Sequence, residues 1–335
     1  MSADNTMPPG AGPYRSAPFD GRRFANAVGP GSLGWGEALR FLRTRAPEKW
    51  PKHAGNEPAP RPVERVDDGS IRVTVVGHAT VLIQVGGLNI LTDPVLSSRA
   101  GPTSWLGVRR VRPPALRVDE LPPIDIVLVS HDHYDHLDRP TLAAVERRDA
   151  PLVLTGLKVG RKIPAKRIVE LDWWKSHEIG AGIVATYVPA EHFSGRGLFD
   201  RNASLWGGFV IETAAGPIYF AGDTGDGPHF ATIRDRFGPM TLSLLPIGAY
   251  APRWFMSPVH IDPVEAVAAS RALESRTSIA IHFGAFPLAD DGIDTPARVL
   301  AETIATAEAG GEQIDFKVPV FGEAIVLGGA VCKSG

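Results

Sequence analysis

Cysteine is almost missing: the 335 residues contain one, Cys332. That excludes a disulfide framework within the monomer and a thiolate cage, so any metal site has to be built from histidine and carboxylate. The cytoplasm is the expected compartment. Charge of one sign is lacking as well. With 35 basic and 37 acidic residues the formal net charge is −2, which gives no general pull toward nucleic acid or an anionic membrane and leaves only local patches for such work. No nucleic-acid partner is expected, and the oligomeric state is not legible. Long apolar runs are also missing. No uninterrupted stretch approaches a bilayer-spanning length, and the opening MSADNTMPPGAGPYRSAPFDGRR has no apolar h-region. A soluble or peripherally membrane-associated protein, without signal peptide or transmembrane segment, is expected.

What is present is turn-rich and apolar. Apolar side chains make up 44% of the chain, enough for a large core, and 30 prolines with 36 glycines suit many turns between short elements. Residues 1–67 read as an irregular N-terminal extension with one helix around Trp35–Thr44 and a proline-dense stretch over Asn56–Val63. Residues 68–335 read as one domain. From Ile71 onward come strand-length apolar runs bounded by turn residues: IRVTVVG, ATVLIQV, LNILTD, IDIVLVS, PLVLTG, GIVATYV, GGFVIET, PIYFAGD, LSLLPIG and TSIAIHF. Helices are expected over Arg139–Arg147 behind the cap Asp138, and over Pro263–Leu273 behind the cap Asp262. Strands outnumber helices and do not alternate with them, so two packed sheets with helices outside are expected. No internal repeat is evident.

The segment IDIVLVSHDHYDHLD sets His131 and His133 two apart behind an apolar run, where extended backbone would send both imidazoles to one face. Asp135 and His136 follow within reach. Four donors in six positions form a dense nitrogen and oxygen set without sulfur, which favours a metal site over a solvated histidine-rich turn. Other donors end other predicted strands: His192 after GIVATYVPAE, Asp223 after PIYFAG, and His282 within TSIAIHFG. Singly, each histidine is a hydrogen-bonded structural residue and Asp223 a turn aspartate. Together they describe a composite site gathered at strand ends.

In order and wording, HDHYDHLD, PAEHF, FAGDTG and AIHFG resemble the metal motifs of the metallo-β-lactamase superfamily. Within it VGHATVLIQ, LTDPVLSSRAGP, ELDWW, IGAYAPRWFM and HIDPVEAV look like the N-acylphosphatidylethanolamine-hydrolysing phospholipase D branch, over roughly Ile71 to Ala324. The resemblance implies an α/β (α+β) fold, a four-layer αβ/βα sandwich of two mixed sheets with helices outside, with residues 68–335 as the hydrolase domain. It implies His131, His133 and His192 on one divalent metal, Asp135, His136 and His282 on a second, and Asp223 between them. Zinc is the expected metal; iron and manganese suit the same donors.

The implied reaction cleaves N-acylphosphatidylethanolamine to N-acylethanolamine and phosphatidic acid by a hydroxide shared between two metals, with Asp135 as the catalytic carboxylate. Tyr134 and His260 are the expected substrate-binding residues, by a phenol hydrogen bond and an imidazolium facing phosphate; packing under the loop and bracing the next helix are their structural alternatives. His78 reads as a buried structural histidine. Arg99, Arg109, Arg110, Arg112 and Arg117, with Trp105 and Leu106 among them, read either as a solvated loop or as a contact for phospholipid headgroups. The competing functions are a lactonase or amide (β-lactam) hydrolase using the same centre, and a non-enzymatic metal-binding protein that keeps the fold.

Overall fold

In the computed structural model, residues 14–29 and 34–328 are described, and Cys332 lies outside them. Helix α1 (Trp35–Thr44) precedes β1 (Ser70–Gly77), β2 (Thr80–Val85), β3 (Leu88–Thr92), the short pair β4 (Arg99–Ala100) and β5 (Val108–Arg109), and β6 (Ile126–Val129). Then come α2 (Arg139–Asp149), β7 (Leu152–Gly156) and β8 (Arg167–Leu171). The second half runs through β9 (Ser176–Gly180), β10 (Ile183–Val188), β11 (Gly208–Thr213), β12 (Gly216–Phe220), α3 (His229–Phe237), β13 (Leu242–Pro246) and α4 (Arg253–Met256). It closes with α5 (Pro263–Ala272), β14 (Thr277–Ile281), α6 (Thr295–Ala309), β15 (Phe316–Lys317) and β16 (Ala324–Gly328).

Two seven-stranded sheets result, in the orders β16-β1-β2-β3-β6-β7-β8 and β15-β14-β13-β12-β11-β10-β9. Both are mixed. The run β16 to β3 is antiparallel and β3 to β8 parallel, just as β9 to β12 is antiparallel and β12 to β15 parallel. The halves therefore repeat one topology, although the sequence shows no repeat. Duplication at this level needs only the same hairpins and crossovers, not the same side chains.

The strands read as continuous apolar runs because both faces are covered. In the first sheet Val73, Val75, Val81, Ile83 and Ile90 enter the core between the sheets. The intervening Val76, Leu82 and Leu91 join Val127, Val129, Leu142 and Val145 beneath α2. That is the period-two alternation of a strand, with apolar residues on both sides. Asp262 caps α5 by accepting from Glu265 N at 2.9 Å, with Glu265 reaching back to Asp262 N, a reciprocal capping box. Asp138 behaves differently from a simple helix cap: its carboxylate accepts from the Thr141 hydroxyl and from Ser97 N. Helix α2 also runs two residues past Arg147, to Asp149.

Residues 14–29 and 34–67 run across this body. Tyr14 is fully buried, donates to Glu191 Oε1 at 2.6 Å, and accepts from Trp174 Nε1 on its carbonyl. Asn26 Oδ1 accepts from His192 N and from Trp206 Nε1. Farther along, Phe41 stacks on Phe255 at 4.4 Å and Arg45 pairs with Asp290 at 2.8 Å.

Candidate metal centre

One end of the sandwich collects residues that follow strand after strand. His78 follows β1, Asp93 follows β3, His131 to His136 follow β6, His192 lies beyond β10, Asp223 beyond β12 and His282 directly after β14. The H-x-H-x-D-H segment is not extended. Strand β6 stops at Val129 and a turn follows, in which the His133 carbonyl accepts from both His136 N and Leu137 N. Chain reversal, rather than strand alternation, brings the four side chains together. Gly222 permits the close approach of the two sheets here: its φ is +62°, and a Cβ would sit 2.6 Å from Ser130 Cβ. His78 and His282 both hold φ 59°, and His282 N donates to the His78 carbonyl. Non-glycine residues in the left-handed region at a polar cluster are the strain expected of a functional site.

The donors form two groups sharing Asp223. His131 Nε2 lies 2.8 Å from His133 Nδ1, which lies 3.2 Å from His192 Nε2. On the other side, Asp223 Oδ2 is 3.1 Å from both His136 Nε2 and His282 Nε2, and Asp135 Oδ2 is 3.4 and 3.3 Å from the same two atoms. His192 Nε2 reaches Asp223 Oδ2 at 3.8 Å, which links the groups. His131, His136, His192, Asp223 and His282 are all buried.

The outer partners set which nitrogen faces inward. His192 Nδ1 donates to the Val259 carbonyl at 2.8 Å and His136 Nδ1 to Asp93 Oδ2 at 2.6 Å. Ser130 Oγ gives its proton to Asp93 and so accepts from His131 Nδ1. In each ring Nε2 is left as a lone pair directed into the cluster, and His136 Nε2 is buried without a hydrogen-bond partner. Inward lone pairs, held by outer hydrogen bonds around buried carboxylates, are what a divalent cation requires of its ligands. The donor set fits metal.

The electrostatics agree. Burial pushes His131 and His192 well below the usual imidazole range. Burial also opposes charge on Asp135 and Asp223, yet His136 next to each holds both well below the usual carboxylate range. For His136 and His282 burial works against protonation, but the facing carboxylates overcome it, raising His282 to about 9. Two carboxylates held ionised in this enclosed cluster thus favour positive charge, which a metal cation would supply.

His260 lies at the rim, its Nδ1 3.9 Å from Asp223 Oδ2, with no hydrogen-bond partner. Burial lowers its pKa to about 4, so a neutral imidazole stands where the sequence led us to expect an imidazolium. Tyr134 donates its hydroxyl to the Arg196 carbonyl at 2.8 Å and carries the Arg196 guanidinium over its ring at 3.9 Å. These are packing contacts, and its proton is committed to them.

Sequence reasoning passed over three groups. Asp93 orients His136 and Ser130, and the Asp that ends an apolar strand in LTDP was the available signal. His78 offers Nε2 to Asp135 Oδ2 at 3.0 Å and its ring lies 4.1 Å from that of His282, tilted by 41°, so it belongs to the cluster itself. His229 donates to Thr224 Oγ1, which also accepts from Glu191 N, bracing the chain on either side of His192 and Asp223. The arginines of residues 99–117 disperse. Arg110 is buried over Phe286, Arg112 faces Asp294, and Arg117 pairs with Asp119 and Glu120.

Comparison with known proteins agrees with this geometry. The family model described as "Beta-lactamase superfamily domain" matches residues 88–283. An N-acyl-phosphatidylethanolamine-hydrolyzing phospholipase D of Caenorhabditis elegans is 39% identical over 234 residues, covering 66% of this chain and 66% of its own length. An uncharacterized protein of Mycobacterium tuberculosis is 37% identical over 288 residues, 82% of this chain and 75% of its own. Among solved structures, a metallo hydrolase of Ignicoccus hospitalis aligns over 77% of this chain and 99% of its own at a TM-score of 0.58 and 19% identity, which speaks to the fold. On the matched domain, the paired mixed sheets and the histidine- and aspartate-lined centre, this chain belongs to the metallo-β-lactamase superfamily and is one of its metal-dependent hydrolases.

Proposed function

We propose that the protein is a phosphodiesterase of the phospholipase D type that hydrolyses N-acylphosphatidylethanolamine to N-acylethanolamine and phosphatidic acid. The observation that carries the reading is the 39% identity with the worm phospholipase D over 234 residues, in a chain whose donor residues converge on one buried centre. His131, His133 and His192 would hold one ion, Asp135, His136 and His282 a second, and Asp223 both. Two divalent ions held there, zinc by preference, would supply Lewis acidity toward a phosphoryl oxygen and lower the pKa of water toward neutrality.

The chain's own residues divide the remaining work. Asp135 keeps 14% of its side chain exposed while His136 and His282 keep none, so it is the carboxylate that faces incoming water. It orients that water for attack on phosphorus and accepts its proton. The bond between phosphorus and the N-acylethanolamine oxygen breaks, and the departing oxygen takes the proton that Asp135 accepted from the water. His260, neutral and with a free Nδ1, hydrogen-bonds a phosphoryl oxygen. Tyr134 contributes by fixing Arg196 and the loop beyond it.

Mass-spectrometric product analysis tests the reading. Metal-loaded protein and a His131→Ala/His133→Ala control are incubated with N-acylphosphatidylethanolamine in mixed micelles. Release of N-acylethanolamine and phosphatidic acid by the first alone is expected. No release from protein verified to hold its metal would overturn the substrate and redirect the search to lactones and amides.

A further inference from the structure

Among the described residues the three most exposed large apolar side chains are Phe199, Leu198 and Trp105, at 88%, 76% and 74% exposure. They occupy two loop tips. Strands β4 and β5 form a ribbon in which Arg99 faces Arg109, and Trp105 and Leu106 cap its far end. The ribbon is fixed: Arg99 Nη1 donates to the Gly107 carbonyl at 3.0 Å, and a Cβ on Gly107, at φ +121°, would collide with the Ala100 carbonyl.

The second tip is equally constrained. Gly195 N donates to Asp132 Oδ1, and Asp200 Oδ1 accepts from Arg196 N and Gly197 N. Leu198 and Phe199 are therefore held out in water by a hydrogen-bonded turn, which no folding requirement explains. A groove between the tips is lined by Arg99, Pro102, Asp138, Arg139 and Arg196. Arg99, Arg109 and Arg139 have no ion-pair partner among the described residues, and Arg196 donates to the carbonyls of Asp132 and Leu137. The acids beside them are spoken for: Asp138 binds Thr141 and Ser97, and Asp200 binds Lys162. The face is apolar at its tips and cationic between them, and Arg196 and Tyr134 tie it directly to the metal-binding turn.

We infer that this face, the ribbon tip at Trp105 and Leu106 and the turn tip at Leu198 and Phe199, seats the protein on an anionic phospholipid surface. Apolar tips enter the boundary of headgroup and acyl chain while Arg99, Arg109 and Arg139 meet lipid phosphates. A lipid held there lies beside the turn that carries His131 to His136. The inference rests on the lipid reading of the substrate and adds how that substrate is reached.

The test measures binding apart from hydrolysis. Metal-loaded protein is cosedimented with vesicles of phosphatidylcholine and phosphatidylglycerol, neither of them N-acylated. Binding to these vesicles is expected, weaker on phosphatidylcholine alone and at high salt, and about tenfold or more weaker for Trp105→Ser/Phe199→Ser. That variant should keep its thermal midpoint and its rate on soluble bis(p-nitrophenyl) phosphate; Arg139→Glu, a surface change of charge alone, should weaken binding in the same direction. Absence of wild-type binding, or equal binding by both variants, overturns the inference. So does a wild-type dimer that Trp105→Ser/Phe199→Ser dissolves, which would give the face to a second copy of the chain. Vesicle binding without N-acylphosphatidylethanolamine cleavage would overturn the substrate reading and leave this face standing.

Discussion

Asp93 Oδ2 lies 2.6 Å from His136 Nδ1, and the same carboxylate takes the hydroxyl proton of Ser130, the residue that in turn receives His131 Nδ1. One buried carboxylate thus fixes the ring orientation of two histidines that the proposed function would place on different metals. Asp93→Asn should lower metal retention tenfold to a hundredfold while the fold survives, the usual scale for such outer partners. Competition with a chelator, read by metal content of the recovered protein, checks this; unchanged retention would remove Asp93 from the site.

Asp135→Asn separates holding metal from moving a proton. The amide keeps an oxygen donor but not the basicity, so turnover should fall by roughly a hundredfold or more at matched metal content. Steady-state rates paired with metal analysis decide it, and an unchanged rate at full occupancy would sink the catalytic role.

His229 makes stability depend on pH. Burial lowers its pKa from 6.5 to about 3. The folded state therefore favours the neutral ring, and the stability this brings is complete above pH 6.5 and is lost as pH falls toward 3. A shift of this size is worth at most on the order of 5 kcal/mol, at ~1.4 kcal/mol per pH unit. Urea unfolding at pH 7, 5 and 4 should show His229→Gln losing less stability on acidification than the wild type; parallel losses would contradict the assignment.

The boundary between residues 67 and 68 is a further proposal. Deleting residues 1–67 should leave a cooperative, metal-binding fold with a lower unfolding midpoint, because Tyr14, Phe24 and Phe41 leave the buried surface. Each such side chain is worth roughly 2–3 kcal/mol. Calorimetry checks this, and loss of a cooperative transition would move the boundary toward the N-terminus.

Legibility followed burial. The ten apolar runs were readable because both of their faces are covered, whereas β8 (RIVEL) and β9 (SHEIG) lie at sheet edges with half-exposed side chains and carry no such run; β16 (AIVLG) is apolar in sequence and half-exposed in the fold, and was passed over. Helix α6 buries only Pro296 and Leu300, too few for a visible stripe. The metal-type residues were legible because so many donors crowd one short segment. Asp93 and His78 were not, since a lone acid before proline reads as a turn and a lone histidine reads as core. Nor can a sequence say that Arg110 turns inward while Arg139, far off in the chain, joins Arg99; that depends on loop packing.

The pairing of β16 with β1 has a consequence for how the molecule is made. Strand β1 is buried along nearly its whole length, yet its outer neighbour is the last strand described. Until synthesis has passed residue 328, β1 is an open, sticky margin on a nascent chain, and unpaired margins of that kind recruit other chains. Slow emergence from the ribosome therefore exposes the first sheet for longest. A truncated product lacking β16 would be expected to fail by aggregation, with its metal-binding residues all present.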